Sequence, residues 1–331
     1  MLGLAASAFA DQKSAFDAGM AALRSGNNDA AIQHLTEAIA FKPDDAEAYK
    51  LRGIAYGQNG LFDEAIADYT KAIELKPDDA GTYELRGIAY AQRGRSDEAI
   101  ADYTKTIELK PDNAGAYKLR GMAYRHKGLS DEAIADYTKA ITLKPDDAEA
   151  YRLRGIAYRR KGLSDEAIAD YTKAIALKPD DAEAYKLRGI AYRYKGLDDL
   201  AIADYTKTIT LKPMDANAYD NRGIAYNDKG LYVQAIADYT KAIALRPDDA
   251  MAYNNRAWAY HLTGRDAEGL PDADQALALS PQCAPCLETR AEIYEKLGRR
   301  ENAIAHYREA LFLVPDMKMA IDGLKRLGEA P

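Results

Sequence analysis

The sequence predicts an all-α fold of stacked helix pairs, and three observations carry this prediction. Nine prolines recur at a constant interval of 34 residues: Pro43, Pro77, Pro111, Pro145, Pro179, Pro213, Pro247, Pro281 and Pro315. A period of this length is typical of stacked supersecondary units. Apolar residues recur at helical spacing in both halves of each interval, while β-branched residues are scattered and form no alternating run. The chain is therefore a helical repeat protein without predicted strands.

Each interval reads as two helices, as residues 148–181 show. The first helix ends at Gly162. Ser164 is the predicted N-cap of the second helix, since its hydroxyl could accept a bond from an unpaired helical N–H group. Pro179 ends the second helix, and Asp181 is placed to cap the first helix of the next interval.

Placing each proline of the series at position 32 divides residues 11–317 into repeats 1 to 9: 12–45, 46–79, 80–113, 114–147, 148–181, 182–215, 216–249, 250–283 and 284–317. One pair of helices is too small to bury a core alone, but stacked neighbours can share one. Repeat 1 is degraded, with Ala15 and Ala22 where other repeats carry Tyr. Residues 318–331 are predicted to be a C-terminal capping helix and tail.

The repeated motif has fixed residue types at fixed positions, which in repeat 5 are Tyr151, Arg154, Gly155, Tyr158, Ala167, Tyr171, Ala174 and Pro179. This motif resembles the tetratricopeptide repeat, with Tyr where that family often has Trp and Phe, and Arg where it often has Leu. The resemblance implies a right-handed superhelical solenoid of antiparallel helix pairs. It also implies that the first helices line a concave groove.

The other repeated residues are predicted to be structural. Twenty-two of the 24 tyrosines occupy positions 4, 11 and 24, which the periodicity assigns to the core. Glycine at position 8 indicates a close approach of two helices, because glycine inside a helix otherwise costs about 1 kcal/mol. Arg at position 7 and Asp at position 23 predict an ion pair, either within a repeat or to the preceding repeat. His34 and His306, which replace that aspartate in repeats 1 and 9, leave both versions open.

The resemblance places positions 2, 5, 9, 12 and 13 of each first helix on the concave face. In repeats 4 to 6 several of these positions are basic, and the predicted groove residues there are Lys118, Arg125, His126, Arg152, Arg159, Arg160, Lys186 and Arg193, beside Tyr194. We interpret them as a site for an acidic peptide or a C-terminal carboxylate. The alternative is that the residues at positions 12 to 14 only complement the negative end of a helix.

Repeats 7 and 8 carry asparagines at or next to the positions that the resemblance places on the concave face. The predicted binding residues there are Asn221, Asn227, Asn254, Asn255 and Trp258. Asn side chains can bind a peptide backbone, and Trp258 could anchor a partner side chain. Alternatively, Trp258 packs against the next first helix. In repeat 8, Pro271 predicts a second helix that begins late, near Pro271 itself, with a local kink.

Composition and motifs argue against catalysis. No phosphate-binding loop, dinucleotide fingerprint, zinc-protease motif or serine-hydrolase elbow is present. The four histidines lack metal-ligand spacing, and Cys283 and Cys286 predict a local disulfide or two free thiols. A net charge of -7 makes nucleic acid an unlikely ligand, and no apolar run is long enough for a membrane span. We therefore expect a non-enzymatic protein–protein interaction scaffold without cofactor or metal, holding a peptide segment of a partner in its groove.

Other readings of the sequence stay open. The end helices could stack chains end to end in a self-assembling module, and the oligomeric state is undetermined. An accessory protein of the cell envelope that binds anionic polymers is a further alternative. Met1 to Ala10 resembles the end of a secretory signal, which predicts a periplasmic or secreted bacterial protein. The alternative is a cytoplasmic protein in which this segment extends repeat 1.

Overall fold

The computed structural model describes residues 2–331, with side chains from Asp11 onward. The described residues form helices and turns without strands. They divide into two compact parts, one ending at Leu163 and one covering Ser164–Pro331, which we describe separately. The predicted signal segment, residues 1–10, lies outside the side chains that are described.

The first part contains nine helices within the described residues, and the first helix of each repeat has an odd number. They are α1 (Leu2–Arg24), α2 (Asn28–Phe41), α3 (Ala46–Gln58), α4 (Phe62–Leu75), α5 (Ala80–Gln92), α6 (Ser96–Leu109), α7 (Ala114–His126), α8 (Ser130–Leu143) and α9 (Ala148–Arg160).

The second part contains ten helices and continues the same alternation. They are α10 (Ser164–Leu177), α11 (Ala182–Tyr194), α12 (Asp198–Leu211), α13 (Ala216–Asp228), α14 (Tyr232–Leu245), α15 (Ala250–Leu262), α16 (Asp266–Leu279), α17 (Ala284–Lys296), α18 (Arg300–Leu313) and α19 (Lys318–Arg326). The segment predicted as a C-terminal cap is α19. None of the described helices combines the length and the apolarity that crossing a bilayer would require.

The two kinds of helix begin differently. The first helices of repeats 2 to 8 are capped by the acidic or amide residue at position 34 of the preceding repeat, as Asp45 shows by accepting bonds from the backbone N–H groups of Glu47 and Ala48. Second helices follow a tight turn in which glycine adopts a positive φ, such as 75° at Gly60. Ser164 is the first residue of α10. The sequence predicted that it is the N-cap, the residue just before the helix, and this prediction is wrong.

The core of repeats 2 to 7 and of repeat 9 is built around the tyrosine at position 24. Tyr69 is 3% exposed, and its ring lies against Gly53 of the same repeat. A Cβ atom at Gly53 would stand 2.6 Å from Cε1 of that ring, which no real side chain tolerates. The predicted role of the position-8 glycine, close helix approach, is confirmed here. In repeats 2 to 8 the tyrosines at positions 4 and 11, such as Tyr49 and Tyr56, are half-buried, while Tyr294 of repeat 9 is buried.

The arginine at position 7 joins three helices, an arrangement that we call the arginine clasp. Arg52 donates from Nε to Asp68 Oδ2 at 2.7 Å and from Nη2 to Asp68 Oδ1 at 2.8 Å. Its Nη1 donates to Thr36 Oγ1 of the preceding repeat at 3.0 Å. The within-repeat version of the predicted ion pair is therefore confirmed. The same carboxylate pairing recurs at Arg86–Asp102, Arg120–Asp136, Arg188–Asp204, Arg222–Asp238 and Arg256–Asp272.

Repeat 9 keeps the clasp but moves its carboxylate. His306 replaces the position-23 aspartate, and Arg290 Nη1 lies 3.1 Å from its Nε2. The acid is instead Asp274 of the preceding repeat, at the position that is threonine elsewhere, and its Oδ1 lies 2.6 Å from Arg290 Nη2. The guanidinium therefore still has a carboxylate, now supplied by the neighbour.

Repeat 8 departs from the other repeats in its second helix. Helix α16 begins at Asp266 and contains Pro271, so the predicted late start is wrong. Gly269 lets this helix approach α15, because a Cβ atom there would stand 3.0 Å from the carbonyl oxygen of Ala257. Cys283 caps α17 and forms a disulfide with Cys286, one of the two states that the sequence allowed.

Candidate binding surface

Two arginines one repeat apart form the candidate surface in the first part. Arg125 and Arg159 occupy position 12 of repeats 4 and 5, at the C-terminal ends of α7 and α9. Both side chains are half-buried, and each Nε is buried without a hydrogen-bond partner. Neither guanidinium forms an ion pair within residues 11–331. Their positive charge is therefore available to an external carboxylate.

The stem of Arg125 lies beside the core tyrosine of its own repeat. Burial raises the pKa of Tyr137 to about 12, and the positive charge of Arg125 opposes part of that rise. The tyrosine thus stays neutral, and its buried hydroxyl lies near the arginine. A positioned guanidinium loses less conformational entropy on binding than a mobile one.

The two residues at position 13 have different environments. Arg160 donates from Nη1 to the backbone carbonyl of Arg125 at 2.9 Å. It therefore complements the negative end of α7, as the alternative reading of the basic residues proposed. His126 is exposed and lines a cavity next to Arg125.

The basic residues at position 5 join one repeat to the next. Lys118 Nζ lies 3.1 Å from Asp147 Oδ2 and 2.6 Å from Glu149 Oε2. Burial acts to lower the pKa of Lys118, but the hydrogen bonds to these carboxylates outweigh it and raise the pKa. Arg152 occupies the same position on α9 and is half-buried. The charge of Lys118 is therefore already balanced within the chain.

The second part repeats this pattern at Lys186, whose Nζ lies 3.0 Å from Asp215 Oδ2 and 2.9 Å from Glu183 Oε2. Arg193 occupies position 12, with Nη1 3.8 Å from Asp228 Oδ2 and its guanidinium 5.7 Å from the ring centre of Tyr194. Tyr194 itself is 69% exposed. Unlike Arg125, Arg193 therefore faces a carboxylate of its own chain.

The predicted amide residues are mostly half-buried. Asn255 donates from Nδ2 to Asp220 Oδ1 at 3.3 Å, while the Oδ1 atoms of Asn227 and Asn254 are buried without a partner. Asn254 is only 6% exposed, and Asn221 is half-buried. Only some of these side chains could reach a peptide backbone.

Trp258 is half-buried and stacks on His261, with the ring centres 5.0 Å apart. His261 Nδ1 lies 2.6 Å from Asp266 Oδ1, which fixes the orientation of the imidazole. The tryptophan therefore contacts the last turn of its own helix. In the part of the chain with described side chains, no group of three or more metal-ligating residues comes together.

Sequence reasoning missed two cavities on the first helices of repeats 2 and 3. The cavity in repeat 2 has a volume of about 240 Å³ and opens at Gly57, and the cavity in repeat 3 has a volume of about 520 Å³ and opens at Ala91. Both residues occupy position 12, which is arginine in repeats 4 to 6. The sequence signal for these cavities is the small size of the residue at position 12 in both repeats.

Comparison with known families identifies the repeat. Models of the tetratricopeptide repeat match residues 16–80, 85–148, 68–101, 148–181, 225–264 and 284–313, which together make up more than half of the chain. No curated protein matches the sequence significantly.

Solved structures share the arrangement of helices. A crystal structure of the C-terminal part of a repeat protein from Cytophaga hutchinsonii is 23% identical, covers 72% of this chain and 98% of its own, and has a TM-score of 0.59. The Cut9–Hcn1 hetero-tetramer of the APC/C is 19% identical over 96% of this chain and 76% of its own, with a TM-score of 0.59. MamA is 34% identical over 49% of this chain and 94% of its own, with a TM-score of 0.47. The first two confirm the helical solenoid.

Proposed function

Because the chain belongs to the tetratricopeptide repeat family, we propose that it is a non-catalytic interaction scaffold that binds an acidic peptide segment of a partner protein. The binding site lies along the first helices of repeats 4 and 5. Proteins of this family typically serve as interaction scaffolds, which supports the general class. The acidic character of the ligand rests on the residues of this chain.

One observation carries the choice of an acidic ligand. Most basic side chains of the candidate surface already have a partner, since Lys118 binds Asp147 and Arg160 binds a helix end. Arg125 and Arg159 are the exceptions, and they stand at equivalent positions of adjacent repeats. Two oriented guanidiniums spaced by one repeat suit two carboxylates of an extended chain, because arginine binds carboxylates with charge-assisted hydrogen bonds.

The test uses a fluorescently labelled ten-residue peptide of serine with Glu at the first, fourth, seventh and tenth positions, and a second peptide with Lys in place of Glu. We expect the acidic peptide alone to bind at low ionic strength. Replacing Arg125 and Arg159 with alanine should weaken that binding by about tenfold for each arginine, since a hydrogen bond to a charged group contributes about 1.5–3 kcal/mol. Fluorescence anisotropy titrations measure the change.

The matched control removes two lysines from the outer face of the second helices. Lys71 and Lys105 each pair with a glutamate three residues further on, and the double variant Lys71→Ala/Lys105→Ala has the same net charge as the arginine variant. Its affinity should stay close to that of the unmodified chain. Equal losses in the two variants would show that only the overall charge matters, and the proposed site would be wrong.

A further inference from the structure

The two cavities of the first part are the same site in successive repeats. In repeat 2 the cavity is bounded by Ile54, Leu85 and Ile88, and Tyr69 forms its floor. In repeat 3 the corresponding positions are Ile88, Leu119 and Met122, with Tyr103 as the floor. Ile88 therefore forms the wall between the two cavities. The wall of the repeat-2 cavity is mostly apolar, whereas Gln92, Ser96 and His126 also line the repeat-3 cavity, and the residue at position 12 lines both cavities.

A comparison within the chain shows what opens these cavities. A Cβ atom built at Gly57 would lie 3.7 Å from the hydroxyl of Tyr69, so the side chain at position 12 points at the core tyrosine. In repeat 4 that position is Arg125, and both its Nε and the hydroxyl of Tyr137 are buried. The arginine stem thus occupies the space that Gly57 and Ala91 leave empty.

The size of the residue at position 17 explains the different volumes. Phe62 lines the cavity of repeat 2, where repeat 3 has Ser96. The smaller residue leaves the larger cavity, of about 520 Å³ against 240 Å³. Gln58 and Gln92 follow at position 13 and line the openings, where an amide can bond the backbone of a bound chain.

The spacing of the cavities sets the register of an extended ligand. Packed neighbouring helices lie about 8–10 Å apart, so equivalent points of successive repeats have roughly that separation. A polyproline-II chain has three residues per turn and advances about 3.1 Å per residue, so residues three apart share a face at roughly 9 Å. One side chain could therefore enter each cavity. The next two such positions would lie opposite Arg125 and Arg159.

We propose that repeats 2 to 5 bind an extended segment carrying two apolar side chains followed, at the same three-residue interval, by two acidic ones. The apolar side chains occupy the cavities at Gly57 and Ala91, and the carboxylates bind Arg125 and Arg159. The cavities continue the proposed acidic-peptide site, so the acidic half of this register rests on the proposed function. The apolar half rests on the cavities alone.

The test compares ten-residue labelled peptides of serine with Leu at the first and fourth positions and Glu at the seventh and tenth. A second peptide has the reverse order, because the direction of binding is open. In matched peptides serine replaces both leucines, and in a spacing control the leucines are adjacent. We expect the correctly spaced peptide of one direction to bind at least about tenfold more tightly than its serine match, since burying one leucine is worth that factor.

Filling the cavity with the residue that repeat 4 carries provides the variant. Ala91→Arg should abolish most of the difference in affinity between the leucine peptide and its serine match. Gly57→Arg, as a separate variant, should have the same effect. Ala101→Arg is the matched control, because it makes the same substitution at an exposed position of α6 that lines neither cavity. Binding of the leucine peptide to this control should keep the leucine advantage. Circular dichroism verifies that each variant is folded.

The two proposals can fail separately. If the acidic peptide binds through Arg125 and Arg159 but leucine brings no gain in any spacing or direction, the cavities are not part of the site. If leucine improves binding while the two arginines have no effect, the cavities bind apolar side chains and the acidic-peptide function is wrong. A leucine advantage that survives both Ala91→Arg and Gly57→Arg would also overturn the assignment to these cavities.

Discussion

At the scale of single residues, differences between the repeats show how the core accommodates a substitution. In repeat 8 the core tyrosine and the glycine beneath it are both replaced, by Ala273 and Ala257, whereas repeat 9 keeps Tyr307 together with Ala291. The volume lost by Ala273 is restored by Ile293, where the first helices of the other repeats have alanine, and these three residues pack in one cluster. In repeat 8 a compensating change in the neighbouring repeat therefore keeps the packing close.

This compensation predicts the behaviour of repeat 3. Gly87→Ala should destabilise the protein by about 1–3 kcal/mol, because its Cβ would stand 2.7 Å from Cε1 of Tyr103. Adding Tyr103→Ala and Ala123→Ile, after the pattern of repeat 8, should recover stability relative to Gly87→Ala/Tyr103→Ala. Urea unfolding measures these differences.

The control for this prediction is Gly81→Ala in the same helix, where the added methyl group meets only Asp79 Oδ1 at 3.3 Å. That change should be neutral or stabilising, since glycine inside a helix costs about 0.5–1 kcal/mol relative to alanine. A Gly87→Ala variant as stable as Gly81→Ala would contradict the proposed contact.

A second residue-scale prediction concerns Asp220. Burial raises its pKa, and the bond from Asn255 only partly opposes the rise. A carboxyl group with a raised pKa costs stability as the pH increases through the interval between its ordinary and raised values. Asp220→Asn keeps an oxygen acceptor for Asn255 and should therefore raise Tm at pH 7 but not at pH 3. Equal Tm differences at both pH values would exclude this electrostatic cause.

At the scale of helices, the arginine clasp fixes how successive pairs meet. Asp136 is 6% exposed and receives two bonds from Arg120, whose third bond goes to Thr104 of the preceding repeat. Breaking a buried ion pair at one partner is costly, whereas replacing both partners with apolar residues is often nearly neutral.

Arg120→Met should therefore destabilise the protein by about 3–5 kcal/mol because it leaves the Asp136 carboxylate buried without its partner. The double variant Arg120→Met/Asp136→Leu should recover most of this loss. Thermal and urea unfolding of the double variant, of Arg120→Met and of Asp136→Leu provide the measurement. If the double variant loses the sum of the two single effects, the pair itself adds no coupling and the clasp is not a cooperative unit.

The sequence predicted these helices well because their signals are local and repeated. Position-34 caps and proline spacing can be read from single residues, and the Arg–Asp pair followed from comparing repeats. The start of α16 before Pro271 could not be read from the sequence, because proline disfavours a helix interior and the approach of Gly269 to α15 depends on the packing of two helices. The sequence alone could not show which basic side chains form ion pairs within the chain. Lys118, for example, binds carboxylates 29 and 31 residues further along.

At the scale of the whole molecule, stability comes from contacts between neighbouring repeats. Removing residues 80–113 would bring repeat 4 against repeat 2, where Arg120 would meet Thr70 instead of Thr104 and find the same hydroxyl. We expect this shortened chain to fold with unchanged helical content per residue. Circular dichroism and urea unfolding would test it.

The matched control removes residues 250–283. Ile293 would then face Tyr239 instead of Ala273, and Arg290 would lose Asp274. The overpacked junction should cost about 1–3 kcal/mol more than the first deletion. Equal stability of the two shortened chains would show that the junctions are interchangeable.

The altered clasp of repeat 9 also bears on inheritance. A gene built of nearly identical tandem segments gains and loses copies by unequal exchange between them. Within each compact part, copies with the common junction can be exchanged without creating a mismatched contact. Asp274 and Ala273 lie in repeat 8, while their partners Arg290 and Ile293 lie in repeat 9. A recombination event that separates these two repeats would leave each contact with only one of its two partners. We therefore expect the number of repeats before repeat 8 to vary between lineages of this gene. Repeats 8 and 9 should be inherited together.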